Sequence, residues 1–143
     1  MGGKEMLSTD LEVYYTNARS LLNKMDELKS VVDKEKPDVI AVSEIWLTSE
    51  VLNGEIQLTG FITSRADRLN RRAGGVILYT KSTLTIRLAE TVAHVSGTCE
   101  LVRCKLKCRR QDIELVVVYR SPECVADDFI LSKLKSCNNN GPV

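Results

Sequence analysis

The sequence predicts an α/β protein that opens with a βαβ unit, and three observations lead to this class. Residues 11–17 and 38–44 have strand composition, and a segment of helical periodicity lies between them. The length of 143 residues and the 43% share of hydrophobic residues suit one globular domain. We therefore expect one α/β domain over residues 11–136, with a polar lead at 1–10 and a polar tail at 137–143.

The first strand and the helix after it follow from residue types. Leu11–Asn17 is rich in β-branched and aromatic side chains, which favour a strand. Ser20 is expected to be the N-cap of a helix, because apolar side chains recur behind it at helical spacing. Lys36–Pro37 should end that helix, since proline cannot continue its hydrogen bonding. The apolar positions of the helix are Leu21, Met25, Leu28 and Val32.

The second strand is predicted to lie parallel to the first. Asp38–Glu44 is a continuous apolar run with a polar end, which is typical of a strand buried on both faces. The order strand, helix, strand implies parallel neighbours joined by a right-handed crossover. Asn17 and Glu44 should then lie at the same rim, where open α/β sheets place their sites.

The rest of the chain predicts further strands and a short final helix. Residues 64–73 are expected to be a polar, basic loop, and Arg109–Asp112 a hairpin turn. Alternation over 100–107 places Arg103, Lys105 and Lys107 on one face and apolar side chains on the other. The strands are expected at 60–63, 76–80, 84–88, 100–107 and 113–119, the last of them a buried type, and the helix around 129–134.

Composition excludes several classes of protein. The net charge of +1 gives no general sign of a polyanionic partner, so nucleic-acid binding must depend on local basic patches. No run of about 20 apolar residues could span a membrane, and no dinucleotide or P-loop motif predicts a small-molecule cofactor. Five cysteines without an export signal are expected in an intracellular protein, nuclear or cytoplasmic.

Asn17 and Glu44 form the first candidate site, and Tyr119 the second. A carboxylate beside an amide suits Mg²⁺, which takes one or two carboxylates and keeps several waters. Tyr119 ends a later strand, where its hydroxyl could donate to a phosphate oxygen. The alternatives are a surface Asn and Glu without function, and a tyrosine that only caps the core.

The basic loop is the third candidate, as a contact for the DNA phosphate backbone. It has four arginines against one aspartate, although a solvated polar loop would have the same composition. Cys99, Cys104 and Cys108 lack zinc-site spacing, and His94 is expected to be a loop residue. The four candidate DNA contacts are Arg65, Arg68, Arg71 and Arg72.

Four blocks, taken in order, resemble the LINE-type (non-LTR) retrotransposon branch of the endonuclease/exonuclease/phosphatase superfamily. The resemblance covers about residues 11–135, and its blocks are Tyr15–Leu21, Pro37–Leu47, Arg65–Arg68 with Gly74–Tyr79, and Val118–Pro122. It implies a partial two-sheet, DNase I-like α/β sandwich that hydrolyses DNA phosphodiesters with Mg²⁺ (or Mn²⁺). It implies Glu44 as metal ligand, Asn17 as its support and Tyr119 as a contact of the scissile phosphate. In a full-length element, a reverse transcriptase would be fused to such a domain.

The chain also departs from this family pattern. It has no Gly-Asp-Phe-Asn-like motif, since Asp127–Phe129 lacks the flanking Gly and Asn. The family pattern also has a late Asp-His pair, which His94 cannot supply because it precedes Tyr119 in the sequence. We therefore expect a C-terminally truncated domain that is weakly active or inactive alone, marginally stable, and left with an uncovered edge and apolar face. The alternatives are a non-catalytic relic or DNA-binding half-domain, and a superfamily branch that acts on a phosphoinositide or sphingolipid.

Overall fold

Two β-sheets pack face to face, and each carries a helix on its outer surface. The structure is a computed structural model that describes residues 2–6, 11–69 and 73–140. The five-stranded sheet has the spatial order β1 (Gly2–Met6), β2 (Glu12–Asn17), β3 (Val39–Ser43), β5 (Val76–Lys81) and β4 (Phe61–Ala66). The three-stranded sheet has the order β6 (Thr85–Ala93), β7 (Cys99–Cys108) and β8 (Gln111–Arg120). The helices are α1 (Met25–Glu35) and α2 (Asp127–Asn140), with single 3₁₀ turns at Leu22–Lys24 and Asn53–Ile56. Within these described ranges, no helix is long and apolar enough to cross a membrane.

The predicted βαβ unit is confirmed. β2 and β3 pair in parallel with Asn17 opposite Ser43, and α1 connects them. The other pairings of the first sheet are antiparallel, and one of them adds β1 to the outer side of β2. The sequence predicted no strand in this polar lead, because its pairing depends on the neighbouring strand rather than on its own composition.

The helix begins differently from the prediction. Ser20 is not an N-cap: it has a φ of 101°, and its backbone N–H donates to the Glu44 carbonyl at 3.0 Å. The 3₁₀ turn Leu22–Lys24 follows, and the α-helix begins only at Met25. Ser20 therefore belongs to a loop that is bonded to the loop after β3, and this long-range pairing overrides its capping preference.

The end of α1 agrees with the prediction. Lys36 has a left-handed conformation with a φ of 48°, and its N–H donates to the Val32 carbonyl at 3.1 Å. This closes the last turn of the helix immediately before Pro37.

One core lies between α1 and the outer face of the first sheet. Tyr79 on β5 is fully buried there, and its hydroxyl donates to the Ile56 carbonyl at 2.6 Å. Burial raises the pKa of this phenol above its usual value of 10.0. The core also contains Leu21, Met25, Leu28, Ile40, Val42, Ile45, Leu47, Leu58, Phe61 and Ile77.

Tyr79→Phe should lower the free energy of unfolding at neutral pH by about 1–3 kcal/mol, because the buried Ile56 carbonyl loses its donor. The stability of the unchanged protein should also fall as pH rises above 10, since the unfolded phenol ionises while the folded one keeps its proton. The variant should lack this part of the alkaline decline. Urea unfolding at pH 7 and pH 10.5 measures both effects, and equal alkaline slopes would contradict the prediction.

The second core lies between the two sheets. The predicted alternation along β7 is confirmed, because Val102, Cys104 and Leu106 are buried while Lys105 and Lys107 are more exposed. Apolar side chains of the first sheet face them: Leu11, Val39, Ala41, Ala66, Val76 and Leu78.

The strand β8 was predicted to be buried, and this prediction is wrong. Its central residues are only half-buried, because β8 is the last strand of its sheet and pairs with β7 alone in the described part of the chain. Beside it, a groove of about 330 Å³ opens between the sheets, and its lining includes Val13, Leu78, Leu115 and Val117. In the described chain β8 therefore has one unpaired edge beside a partly open apolar groove.

Two further boundaries differ from the prediction. β4 runs to Ala66, so that Arg65 lies in a strand rather than in the basic loop. α2 continues to Asn140, so the backbone of the tail predicted at 137–143 is helical as far as that residue.

Candidate functional site

Three strands bring polar side chains to one rim of the sandwich. β2 ends at Asn17, which is exposed and lies directly opposite Ser43 on β3. Glu44 follows Ser43 in the chain, and its carboxylate lies close enough to the Tyr119 hydroxyl on β8 to raise the pKa of that phenol. The structure thus joins Glu44 to Tyr119 and places Asn17 at the end of the neighbouring strand.

The Tyr119 phenol keeps its proton at neutral pH. Burial raises its pKa, and the hydrogen bond to Glu44 and the charge of that carboxylate raise it further. The Arg68 guanidinium opposes this shift, and Glu100 adds to it. Tyr119 is therefore a hydrogen-bond donor, and a phosphate oxygen is an acceptor that it could serve.

Tyr15 and Ser43 belong to the same rim, although the sequence did not identify them. The Tyr15 hydroxyl and Ser43 Oγ lie 2.6 Å apart in a hydrogen bond. Tyr15 stands two residues before Asn17 and therefore shares its face of β2. This two-residue spacing from Asn17 could have identified Tyr15 from the sequence. Ser43 had no such pattern, because it lies in a continuous apolar run.

Strained backbone is concentrated in the loops that follow β2 and β3. Arg19, Ser20, Glu44 and Trp46 have φ values of 48°, 101°, 55° and 54°. Two backbone hydrogen bonds join these loops. The Ala18 N–H donates to the Ser43 carbonyl at 2.9 Å, and the Ser20 N–H donates to the Glu44 carbonyl at 3.0 Å. Such conformations persist where the surroundings over-determine them, and they cluster at functional sites.

A pair of glycines supports the Glu44 loop from the other side. Trp46 donates its backbone N–H to the Gly74 carbonyl at 3.0 Å. Gly75 has a φ of 83°, and a Cβ there would lie 2.8 Å from Ile45 Cγ1. Only glycine therefore fits where this turn passes under the loop.

A buried ion pair lies beside Tyr119. Arg68 Nε lies 3.0 Å from Glu100 Oε2, and the two side chains are 3% and 0% exposed. The Arg68 guanidinium also stacks 5.5 Å from the centre of the Tyr119 ring. Glu100 was missed at the sequence level, since a single acidic residue at the start of an alternating strand carries no pattern that predicts burial.

The predicted DNA-binding arginines have different surroundings. Arg68 is buried in its ion pair, so it does not offer a phosphate contact from an exposed loop, and that prediction is corrected. Arg65 pairs with Asp67 at 2.8 Å and also donates to the Thr48 carbonyl at 3.1 Å. Arg71 and Arg72 lie outside the described residues.

The donor set at the rim suits a hydrated divalent ion held by few protein ligands. Glu44 supplies one carboxylate, and Asn17 stands at the adjacent strand end as an amide. Mg²⁺ accepts such a set because it keeps several waters. Across the described ranges, the rim included, no group of three His, Cys, Asp or Glu side chains could hold a metal ion.

Cys99, Cys104 and His94 have structural surroundings, as the sequence predicted. Burial raises the pKa of the Cys99 and Cys104 thiols to about 11, which makes both poor metal ligands and nucleophiles at neutral pH. His94 lies in a loop, where its Nδ1 bonds to Ser96 Oγ at 2.8 Å and its ring contacts Phe129.

No protein-family model and no curated protein matches the chain, but several solved structures do. TDP2 from C. elegans matches with a TM-score of 0.65 and 13% identity, over 91% of this chain and 44% of that chain. The human Nocturnin catalytic domain matches with a TM-score of 0.64 and 8% identity, over 90% and 59%. An AP endonuclease from Archaeoglobus fulgidus matches with a TM-score of 0.56 and 13% identity, over 87% and 48%.

These matches establish the fold. The chain has the two-sheet α/β architecture of the endonuclease/exonuclease/phosphatase, DNase I-like type. It spans about half the length of the solved structures that it matches.

Proposed function

We propose that this chain is part of a Mg²⁺-dependent DNA endonuclease of the LINE-type retrotransposon branch, which nicks the target site by hydrolysing a phosphodiester. The meeting of Tyr119 and Glu44 at one rim, where the carboxylate raises the pKa of the phenol, is the observation that supports it best. These residues come from different sheets and are 75 positions apart (119 minus 44) in the sequence.

Three residues of the rim have a proposed role. Glu44 would hold Mg²⁺ or Mn²⁺, and Asn17 would support the ion and the phosphate from the end of β2. When bound, the ion would neutralise charge on the phosphoryl oxygens. Tyr119 would donate its hydroxyl proton in a hydrogen bond to an oxygen of the scissile phosphate, and so orient it.

DNA is the proposed partner, through its phosphate backbone. Among the matched structures, D. rerio TDP2 was solved in complex with a single-strand DNA product, with a TM-score of 0.64 and 13% identity. Arg71 and Arg72 remain the proposed backbone contacts of this chain, since Arg65 and Arg68 have partners within the fold. In a full-length element, a fused reverse transcriptase would extend the DNA 3′ end that the nick creates.

These 143 residues should cleave DNA weakly or not at all by themselves. The rim supplies groups that would bind and orient a phosphate, but His94 lies in another loop, and the described ranges hold no group of three His, Cys, Asp or Glu side chains that could bind a metal ion. A water nucleophile needs a general base, and the rim as described offers none besides the proposed metal ligand.

The proposal is tested by metal binding and DNA nicking with Glu44→Gln, which keeps the size of the side chain and removes its charge. Calorimetry with Mn²⁺ should show a site that this variant loses, and any Mg²⁺-dependent nicking of supercoiled DNA should disappear with it. Glu27→Gln, on the exposed side of α1, is the matched control and should bind like the unchanged protein. Equal Mn²⁺ binding by both variants would refute the metal site.

A non-catalytic DNA-binding half-domain is the second candidate, and the lack of any group of three possible metal-ligating side chains in the described ranges favours it. It predicts salt-dependent DNA binding that survives Glu44→Gln and falls with Arg71→Ala and Arg72→Ala. Binding that responds to none of these changes would remove DNA from the function. Turnover of a phospholipid but not of DNA would instead support the lipid-directed branch.

A further inference from the structure

The ion pair of Arg68 and Glu100 has a geometry that stability alone does not explain. It is a two-pronged contact, with Arg68 Nε on Glu100 Oε2 at 3.0 Å and Arg68 Nη2 on Oε1 at 3.3 Å. Removing both charges from water carries a desolvation penalty that can exceed their attraction. The burial of this ion pair is therefore better explained by the neighbouring residues that it contacts and holds in position.

Glu100 fixes the glycine turn. Its Oε1 accepts the Gly75 N–H at 2.5 Å. The preceding Gly74 carbonyl accepts the Trp46 N–H at 3.0 Å, two residues beyond Glu44. One carboxylate thus holds the turn on which the segment after Glu44 rests.

Arg68 fixes the tyrosine. Its guanidinium lies 5.5 Å from the centre of the Tyr119 ring, within the range of a cation–π contact. Tyr119 is also the residue directly opposite Glu100 in the pairing of β7 with β8. The ion pair therefore contacts both the ring of Tyr119 and the support of Glu44.

We propose that Arg68 and Glu100 are positioning residues that hold the Tyr119 ring and the Glu44 loop next to each other at the rim. Glu100 sets the glycine turn beneath the Glu44 loop, and Arg68 sets the ring of Tyr119. The catalytic meaning of this arrangement rests on the proposed endonuclease function. The geometric part does not, because it concerns contacts within the protein.

The test measures how strongly Glu44 acts on Tyr119. Tyrosine labelled with ¹³C at Cζ is incorporated, and the Tyr119 signal, assigned with Tyr119→Phe, is recorded by NMR at pH 7. Because the Glu44 carboxylate acts on the Tyr119 phenol in the folded protein, Glu44→Gln should shift this signal. In an Arg68→Met/Glu100→Met background, which removes the contacts to the Tyr119 ring and to Gly75, the same substitution should shift it much less.

Two further backgrounds separate positioning from general destabilisation. Lys133→Gln breaks an ion pair with Glu90 elsewhere in the fold and should leave the full effect of Glu44→Gln on Tyr119. Arg68→Lys keeps a positive charge beside Glu100 but removes the guanidinium over the Tyr119 ring, and it replaces the double variant if that one does not fold. An effect of Glu44→Gln that is equal in all backgrounds would overturn the proposal, as would no effect in the unchanged protein. Absence of Mn²⁺ binding by the unchanged protein, without either of these results, would count against the proposed function alone.

Discussion

Arg68→Met should lower the free energy of unfolding by about 3–5 kcal/mol, because it leaves the Glu100 carboxylate buried without its partner. Glu100 would still accept the Gly75 N–H, but that hydrogen bond does not neutralise its charge. Whole domains are stable by only about 5–15 kcal/mol, so this single change should bring the protein close to unfolding at room temperature. Urea unfolding followed by circular dichroism measures the loss.

Two variants define how that loss should be interpreted. Arg68→Met/Glu100→Gln removes both charges and should recover most of the stability, because the Gln side chain can still accept from Gly75. Arg87→Met is the matched control: its ion pair with Asp112 is 3.7 Å long and more than half exposed, so stability should hardly change. A double variant as unstable as Arg68→Met would show that the buried charge is not the cause.

Leu106→Ala should lower the free energy of unfolding by about 2–5 kcal/mol, through lost burial and the cavity that remains. Leu106 is fully buried on β7, the central strand of the second sheet, where its side chain fills the core between the sheets. Only three strands form that sheet in the described chain, so little structure is available to collapse into the space.

Leu88→Ala is the matched control for this prediction. The same atoms are removed from β6, in the same sheet, but Leu88 is 39% exposed. Its loss should be well under half of that for Leu106→Ala, since exposed apolar atoms contribute little burial. Similar losses at the two positions, measured by thermal and urea unfolding, would mean that the core between the sheets contributes little to stability.

The sequence was sufficient for the parts of the fold that depend on local patterns. Periodicity predicted α1, the alternation of β7 and the strand–helix–strand order, and that order required parallel neighbours with Asn17 and Glu44 at one rim. Residue types at strand ends also identified Tyr119, whose role in binding remains a proposal.

Only the tertiary structure decided which charges are buried and which partners they have. Arg68 lies in a segment whose composition is typical of an exposed loop, yet its side chain is buried in an ion pair with Glu100. No local pattern predicts this pair, because its two residues are 32 positions apart in the sequence. Ser20 does not cap the helix, because it lies in a loop that is hydrogen-bonded to Glu44. β8 is a half-buried edge strand, because in the described chain no strand pairs with its second side. The physical reason is the same in each case: local propensities are worth fractions of a kcal/mol, whereas burial and long-range pairing are worth several, and these depend on residues distant in sequence.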